Sequence, residues 1–163
     1  MQTYNAQPSL ADLLTIESSA SIFFSYAREL ELSSMFVGEG PDGDVKMTLL
    51  VPTNKAVMAL SRKPHQGPQP DSSEIEISEQ EFEQISKKNV ERWISAHIIP
   101  TSPINLEGKR ATLLDGKSVT FTPSTTRRTR WEGVLVDDDA KIIGMKVASN
   151  GVLYLLDGTI KFD

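Results

Sequence analysis

The apolar pattern of this chain changes period at Pro100, and that change limits the fold more than any other feature. Upstream, apolar residues recur at helical spacing; downstream, they lie in short runs separated by turn residues. Helices gathered in one half and strands in the other argue for an α+β domain rather than alternating α/β units. A chain of 163 residues buries roughly two thirds of its unfolded surface, so one core forms without metal or disulfide. We read residues 1–163 as a single domain with its core over about 10–162. The absence of cysteine excludes thiol catalysis, Cys-ligated zinc, iron–sulfur clusters and a disulfide framework.

Local signals place the elements. Ser9 with Asp12 reads as a capping box opening a helix whose apolar face is Leu10, Leu13 and Leu14. Ile22, Phe23, Tyr26 and Leu30 share a second helical face. The segment 38–44, rich in Gly and Pro, reads as a loop. Met47 to Val51 reads as a buried strand stopped by Pro52, and Thr53 or Asn54 caps the helix that carries Ala56, Val57 and Leu60. Arg62 to Ser73 reads as an exposed loop. Ser78 with Glu81 restarts helix, and Phe82, Ile85, Val90, Trp93, Ile94 and His97 fall on roughly one face. Lys87-Lys88-Asn89 interrupts that stripe, leaving one helix or two. Beyond Pro100, Thr112–Leu114 and Ser118–Phe121 flank a hairpin turn at Asp115-Gly116-Lys117. Trp131–Val136, Lys141–Val147 and Val152–Leu156 are further strands, and Asp157-Gly158 suggests a tight turn into Thr159–Phe162.

The charge, −5 from 22 acidic and 17 basic residues, gives no general attraction to nucleic acid. No apolar run reaches the length of a membrane-spanning helix. The N-terminus lacks the basic start and apolar centre of a signal peptide. Neither HExxH, a G-x-S-x-G elbow, a P-loop nor G-x-G-x-x-G occurs, so no enzyme, metal or cofactor signature is present. His65 reads as solvated in its Pro-rich loop. His97 reads as a structural histidine whose burial lowers its pKa, against the opposite pull of a helix C-terminus. Asp137-Asp138-Asp139 reads as a turn, since calcium-loop spacing and the central glycine are missing. Arg127, Arg128 and Arg130 with Trp131 form the single basic cluster, which suits an anion or polyanionic ligand.

Three segments then carry a family resemblance. Thr48-Leu49-Leu50-Val51-Pro52-Thr53-Asn54-Lys55-Ala56-Val57 is similar to the box T-x-F-A-P-T-N-x-A-F of the fasciclin-1 (FAS1) domain. Ala96-His97-Ile98-Ile99-Pro100 resembles its central Tyr-His segment. Asn150 to Asp157, with Gly151 second, resembles the box N-G-x-(I/V)-x-x-(I/V)-D. The resemblance runs from Leu10 to Phe162, and 56–68 looks like fungal single-domain members. Departures are Leu50 and Val51 for Phe and Ala, Val57 for Phe, and Ala96 where adhesive members carry tyrosine.

The resemblance implies N-terminal helices packed on a twisted β-sandwich or wedge. It marks Thr48, Pro52, Thr53, Asn54, Asn150, Gly151 and Asp157 as structural motif residues. It also implies that the last strand carries on past a local irregularity, where the bare residues suggest a turn. Functionally it implies a non-catalytic, cofactor-free module contacting cell-surface or matrix protein or polysaccharide. The location implied is extracellular or cell surface after removal of a signal peptide, or alternatively the vacuole or another organelle lumen. Candidate contact residues are His97, Arg127, Arg128, Arg130 and Trp131. The alternative reading is a small-ligand or polyanion binder working through the Arg127–Trp131 patch, and oligomeric state is open.

Overall fold

The computed structural model describes residues 8–37, 46–60, 63–66, 78–102, 104–123 and 131–161. The helices are α1 (Leu10–Ile16), α2 (Ser21–Ala27), α3 (Asn54–Met58) and α4 (Glu79–Ser95), with short 3-10 turns at Ser18–Ala20, Glu31–Phe36 and Pro64–Gln66. The strands are β1 (Met47–Pro52), β2 (Ile98–Ile99), β3 (Gly108–Ala111), β4 (Ser118–Thr122), β5 (Leu135–Val136), β6 (Ala140–Ala148) and β7 (Gly151–Leu156). They form one sheet in the order β2-β1-β7-β6-β5-β4-β3. The β1–β7 pair is parallel and every other pairing is antiparallel. This is the α+β architecture that the change of period at Pro100 indicates.

Alternation along the central pair divides the interior in two. Met47, Leu49, Val51 and Leu153 face the helices and pack with Leu10, Leu14, Phe23, Phe36, Trp93 and Ile94. Leu50, Val152, Tyr154 and Leu156 point the other way, into a second cluster with Val119, Phe121, Val136, Ala140 and Ile142. Residues of β4, β5 and β6 therefore close over the face opposite the helices. The wedge is a single sheet curled over itself. A β-bulge between Ile142 and Gly144 shifts the β6–β7 register where that curl develops, since a bulge bends its strand and raises the local twist.

Several local expectations need correction. α4 is one continuous helix through Lys87-Lys88-Asn89, with Ser78 accepting the Glu81 N–H at 3.1 Å. Its buried residues begin only at Val90; Phe82 and Ile85 are 56% and 49% exposed. The hairpin partner of β4 is Gly108–Ala111, not Thr112–Leu114. Leu113 donates instead to the Ile98 carbonyl, and the Thr112 hydroxyl bonds to the Lys117 carbonyl inside the connection. Of Trp131–Val136 only the last two residues are strand, because Val134 donates back to the Trp131 carbonyl in a turn with Gly133 at positive φ. β7 ends at Leu156, and no strand follows over the described residues 157–161. Asp157 extends the ladder by donating to the Lys141 carbonyl and accepting the Lys141 N–H on its carboxylate. The irregularity lies in β6 instead.

Arg62–Ser73 is not wholly loop: Pro64–Gln66 forms a 3-10 turn against α4, and Pro64 is buried. Asn89 donates to the His65 carbonyl, and His65 itself is half-buried rather than solvated. The remainder of that segment and the 38–44 loop lie outside the described residues, except Lys63.

Gly151 shows how tightly the central pair is built. It opens β7 opposite Met47 with φ 154°, and a Cβ there would collide with the Met47 carbonyl oxygen and press on Leu10. Gly116 has φ 83° but nothing near its absent Cβ. Gly151→Ala should therefore cost about 3 kcal/mol or more, because backbone must move. Gly116→Ala should cost only about 1 kcal/mol, from the left-handed φ alone. Denaturant midpoints of the two variants check this ordering.

Candidate functional site

The three motif segments converge around the β1–β7 pair. Thr48 is buried on β1 and donates its hydroxyl to the Thr101 carbonyl at 2.8 Å. Pro52 closes the strand opposite Leu156, and Thr53 donates its N–H to the Leu156 carbonyl. The Thr53 hydroxyl accepts the Ala56 N–H and caps α3. The choice between Thr53 and Asn54 as cap thus falls to Thr53.

Asn54 serves a different helix. Its Oδ1 accepts the Ile22 N–H at 2.8 Å, and its Nδ2 donates to the Ser18 carbonyl and the Ser21 hydroxyl, both at 3.0 Å. α2 has no capping side chain of its own, so Asn54 satisfies one of its orphan N-terminal donors from across the chain. Asn150 repeats the arrangement. Its Oδ1 accepts the Leu10 N–H at 2.9 Å at the start of α1, and its Nδ2 donates to the Met35 and Phe36 carbonyls. Two asparagines, one from each box, fasten the helical layer to the sheet.

His97 lies just past the end of α4 and is fully buried. Its Nδ1 is 2.6 Å from the Trp93 carbonyl, which can only accept, so Nδ1 carries the proton. Nε2 then accepts the Ile160 N–H at 2.9 Å. The His97 carbonyl also accepts the Leu50 N–H at 2.8 Å. The ring packs against Trp93, with centroids 4.7 Å apart, and edge-on to Phe23. Burial in these surroundings lowers its pKa to about 4; the Trp93 hydrogen bond opposes the shift and the nearby Lys117 charge adds to it. Ala96, beside it, packs in the second cluster. Both ring nitrogens are engaged within the domain, and neither presents a reactive atom to solvent.

Trp131 is half-buried against the second cluster, while Arg127, Arg128 and Arg130 lie outside the described residues. Asp137 and Asp138 form the turn read from sequence, both at positive φ, with Asp139 donating to the Val136 carbonyl. Asp137 accepts the Thr120 N–H and pairs with Lys117 at 2.9 Å, fastening the turn to β4. Among the described residues no three His, Asp or Glu side chains converge as metal ligands, and no helix is long and apolar enough to cross a membrane. The bare sequence does not reveal the acceptors and donors that answer the motif: the Trp93 carbonyl and the Ile160 and Ile22 amides are backbone groups available at any residue.

Comparison with known proteins agrees with this frame. The sequence profile described as "Fasciclin domain" matches residues 18–161. A FAS1 domain-containing protein of Aspergillus fumigatus is 29% identical over 160 residues, covering 96% of this chain and 64% of the relative. One from Emericella nidulans is 28% identical over 160 residues, covering 96% and 63%. The chain thus spans under two thirds of the length of these relatives. Among solved structures, a FAS1 domain pair from the insect cell adhesion molecule fasciclin I aligns with TM-score 0.64 over 96% of this chain and 52% of that one. At 8% identity the likeness is one of fold.

The geometry sets three expected outcomes. Asn54→Ala leaves the Ile22 amide without its acceptor at a half-buried site and should cost about 1–2 kcal/mol. Asn150→Ala strips three groups in a buried site and should cost about 3 kcal/mol, with the urea m-value unchanged in both. For His97, the unfolded chain takes up the proton first. Its contribution is complete above pH 6.5 and declines as pH falls toward 4, by about 3 kcal/mol in all, then levels. Subtracting the stability curve of His97→Gln from that of the parent between pH 7.5 and 3.5 should isolate this decline; a flat difference would contradict it.

Proposed function

Because this chain belongs to the fasciclin (FAS1) domain family, we propose that it is a non-catalytic interaction module working at a cell surface or in an extracellular matrix. The observation that carries this reading is the internal use of the motif. His97, Asn54 and Asn150 direct their polar atoms into backbone of the same domain. A general base or nucleophile needs a reacting atom within reach of substrate, and these residues offer none. The family's most characteristic side chains thus build a frame, and recognition falls to the surface mounted on it. The similar insect protein is a cell adhesion molecule, which supports contact with protein or polysaccharide as the task. Extracellular or surface placement belongs to the same proposal.

The basic cluster is where we place a polyanionic contact. Trp131 is anchored against the second cluster, so Arg127, Arg128 and Arg130 immediately precede a fixed point of the fold. Guanidinium groups suit acidic glycans or acidic protein segments.

The test is retention of the purified chain on insoluble cell-wall polysaccharide and on extracted surface proteins at pH 7.5. Retention is expected for the parent and for His97→Gln. It should weaken in Arg127→Glu/Arg128→Glu, and the parent should lose affinity as salt rises. Loss of binding in a normally folded His97→Gln would return that residue to the contact surface, and no retention on either material would reject the reading.

A further inference from the structure

β7 ends at Leu156, but residues 157–161 do not leave the fold; they run as a strap, neither helix nor strand. At its root the Asp157 N–H donates to the Lys141 carbonyl at 3.0 Å, and the Asp157 carboxylate accepts the Lys141 N–H at 2.7 Å. Gly158 then passes so close to β6 that an added Cβ would stand 3.1 Å from the Ala140 Cβ. Thr159 and Ile160 are buried, and Ile160 lies in the second cluster with Ala140 and Leu156. Lys161 pairs with Asp139 at 2.8 Å, an exposed ion pair that holds little. Among the described residues one backbone hydrogen bond secures the strap beyond Asp157, from the Ile160 N–H to His97 Nε2 at 2.9 Å.

The acceptor in that bond can be turned into a donor. Nδ1 already spends its proton on the Trp93 carbonyl, so a second proton, taken from solvent, goes to Nε2. Nε2–H and the Ile160 N–H then point at each other, two donors without an acceptor. Water can accept from the charged ring, and Nε2 meets water only when the strap lifts. We infer that residues 157–161 form an acid-released strap: protonation of His97 at Nε2 detaches Ile160 while the β1–β7 pair stays folded.

The surroundings of the ring do not offset this. Phe23 of α2 and Trp93 of α4 touch it without charge. Tyr26, packed on Trp93, and Tyr154 of the second cluster keep their protons in acid, since burial raises both. From β1, Leu50 brings its amide to the His97 carbonyl. The charge that reaches the ring is the Lys117 ammonium, which disfavours imidazolium and pairs with Asp137 at 2.9 Å. On the strap itself, Asp157 is turned to Lys141 and Lys161 to Asp139. The closed strap holds the pKa at about 4, and an open one returns it toward the ordinary value near 6.5. Linkage then raises the ratio of open to closed strap about a hundredfold between pH 7 and pH 4. This opening is local, separate from the loss of global stability, and holds whatever the surface binds.

Native-state hydrogen exchange on the whole chain, resolved by NMR and corrected for intrinsic rates, tests the strap. From pH 7 to pH 4 protection of the Ile160 amide should fall about a hundredfold, almost independently of urea below about 1 M. Leu153, paired with both β1 and β6, should stay at least about tenfold better protected at pH 4 and follow the full urea dependence of unfolding. In His97→Gln an amide oxygen can replace Nε2 without taking up a proton, so the fall at Ile160 should shrink below about threefold. Asp157→Asn keeps an acceptor for the Lys141 N–H and should retain the fall. Ile160→Ala loosens the strap without touching the histidine and should raise the His97 pKa, read from its ring protons, by about half a unit. Ile160 and Leu153 exchanging in step at both pH values overturns the inference, as does an undiminished acid response in His97→Gln. So does loss of that response in Asp157→Asn, or a His97 titration that Ile160→Ala leaves in place.

Discussion

The parallel pairing of β1 with β7 is the constraint on which the other elements depend. It joins Met47 to Gly151 and continues to Pro52 and Leu156, so the centre of the sheet unites segments about a hundred residues apart in sequence. The chain must therefore close a long loop before its best-buried strands meet, which costs entropy and slows folding. Both strands are buried on both faces, as parallel pairs usually are. Each face then founds its own core. The helical layer grows on one and the curled outer strands on the other, and neither core has a floor without this pair.

Hydrophobic burial alone does not orient a helix layer on such a pair, because it is non-directional. Direction comes from three polar side chains next to the pair. Asn54 and Asn150 each accept a helix amide; Asn54 donates to the Ser18 carbonyl and the Ser21 hydroxyl, Asn150 to two carbonyls, and His97 joins the end of α4 to the segment after β7. In a low-dielectric interior such bonds are strong when complete and expensive when broken. With these side chains committed inside the domain, their polar atoms serve the frame rather than the surface.

Much of this was legible from the residues. The capping box at Ser9 and Asp12, the strand ending at Pro52, the glycine at 151 and the buried histidine are local chemistry with local outcomes, and they stand where that chemistry indicates. Structure departs from pattern where tertiary contacts override it. Thr112–Leu114 looks like a strand, yet Leu113 is drawn to the carbonyl of Ile98 and the true strand lies earlier. Phe82 and Ile85 have the spacing of a packed face, but none of the described core reaches that end of α4. The role of Asn54 was illegible for a related reason: a side chain beside a helix start looks like its cap, and nothing in its neighbours announces that a distant helix lacks one.

The bulge at Ile143 bears on how this fold tolerates changes in length. In a regular strand, losing or gaining one residue exchanges the buried and exposed faces for everything beyond it. β6 already holds one residue more than β7 requires between Ile142 and Gly144. Excising Ile143 would restore regular pairing and keep Met145 and Val147 on their present face, whereas excising Met145 would turn Lys146 toward the second core. The loss of one residue from β6 is thus absorbed at Ile143 and disruptive two residues later.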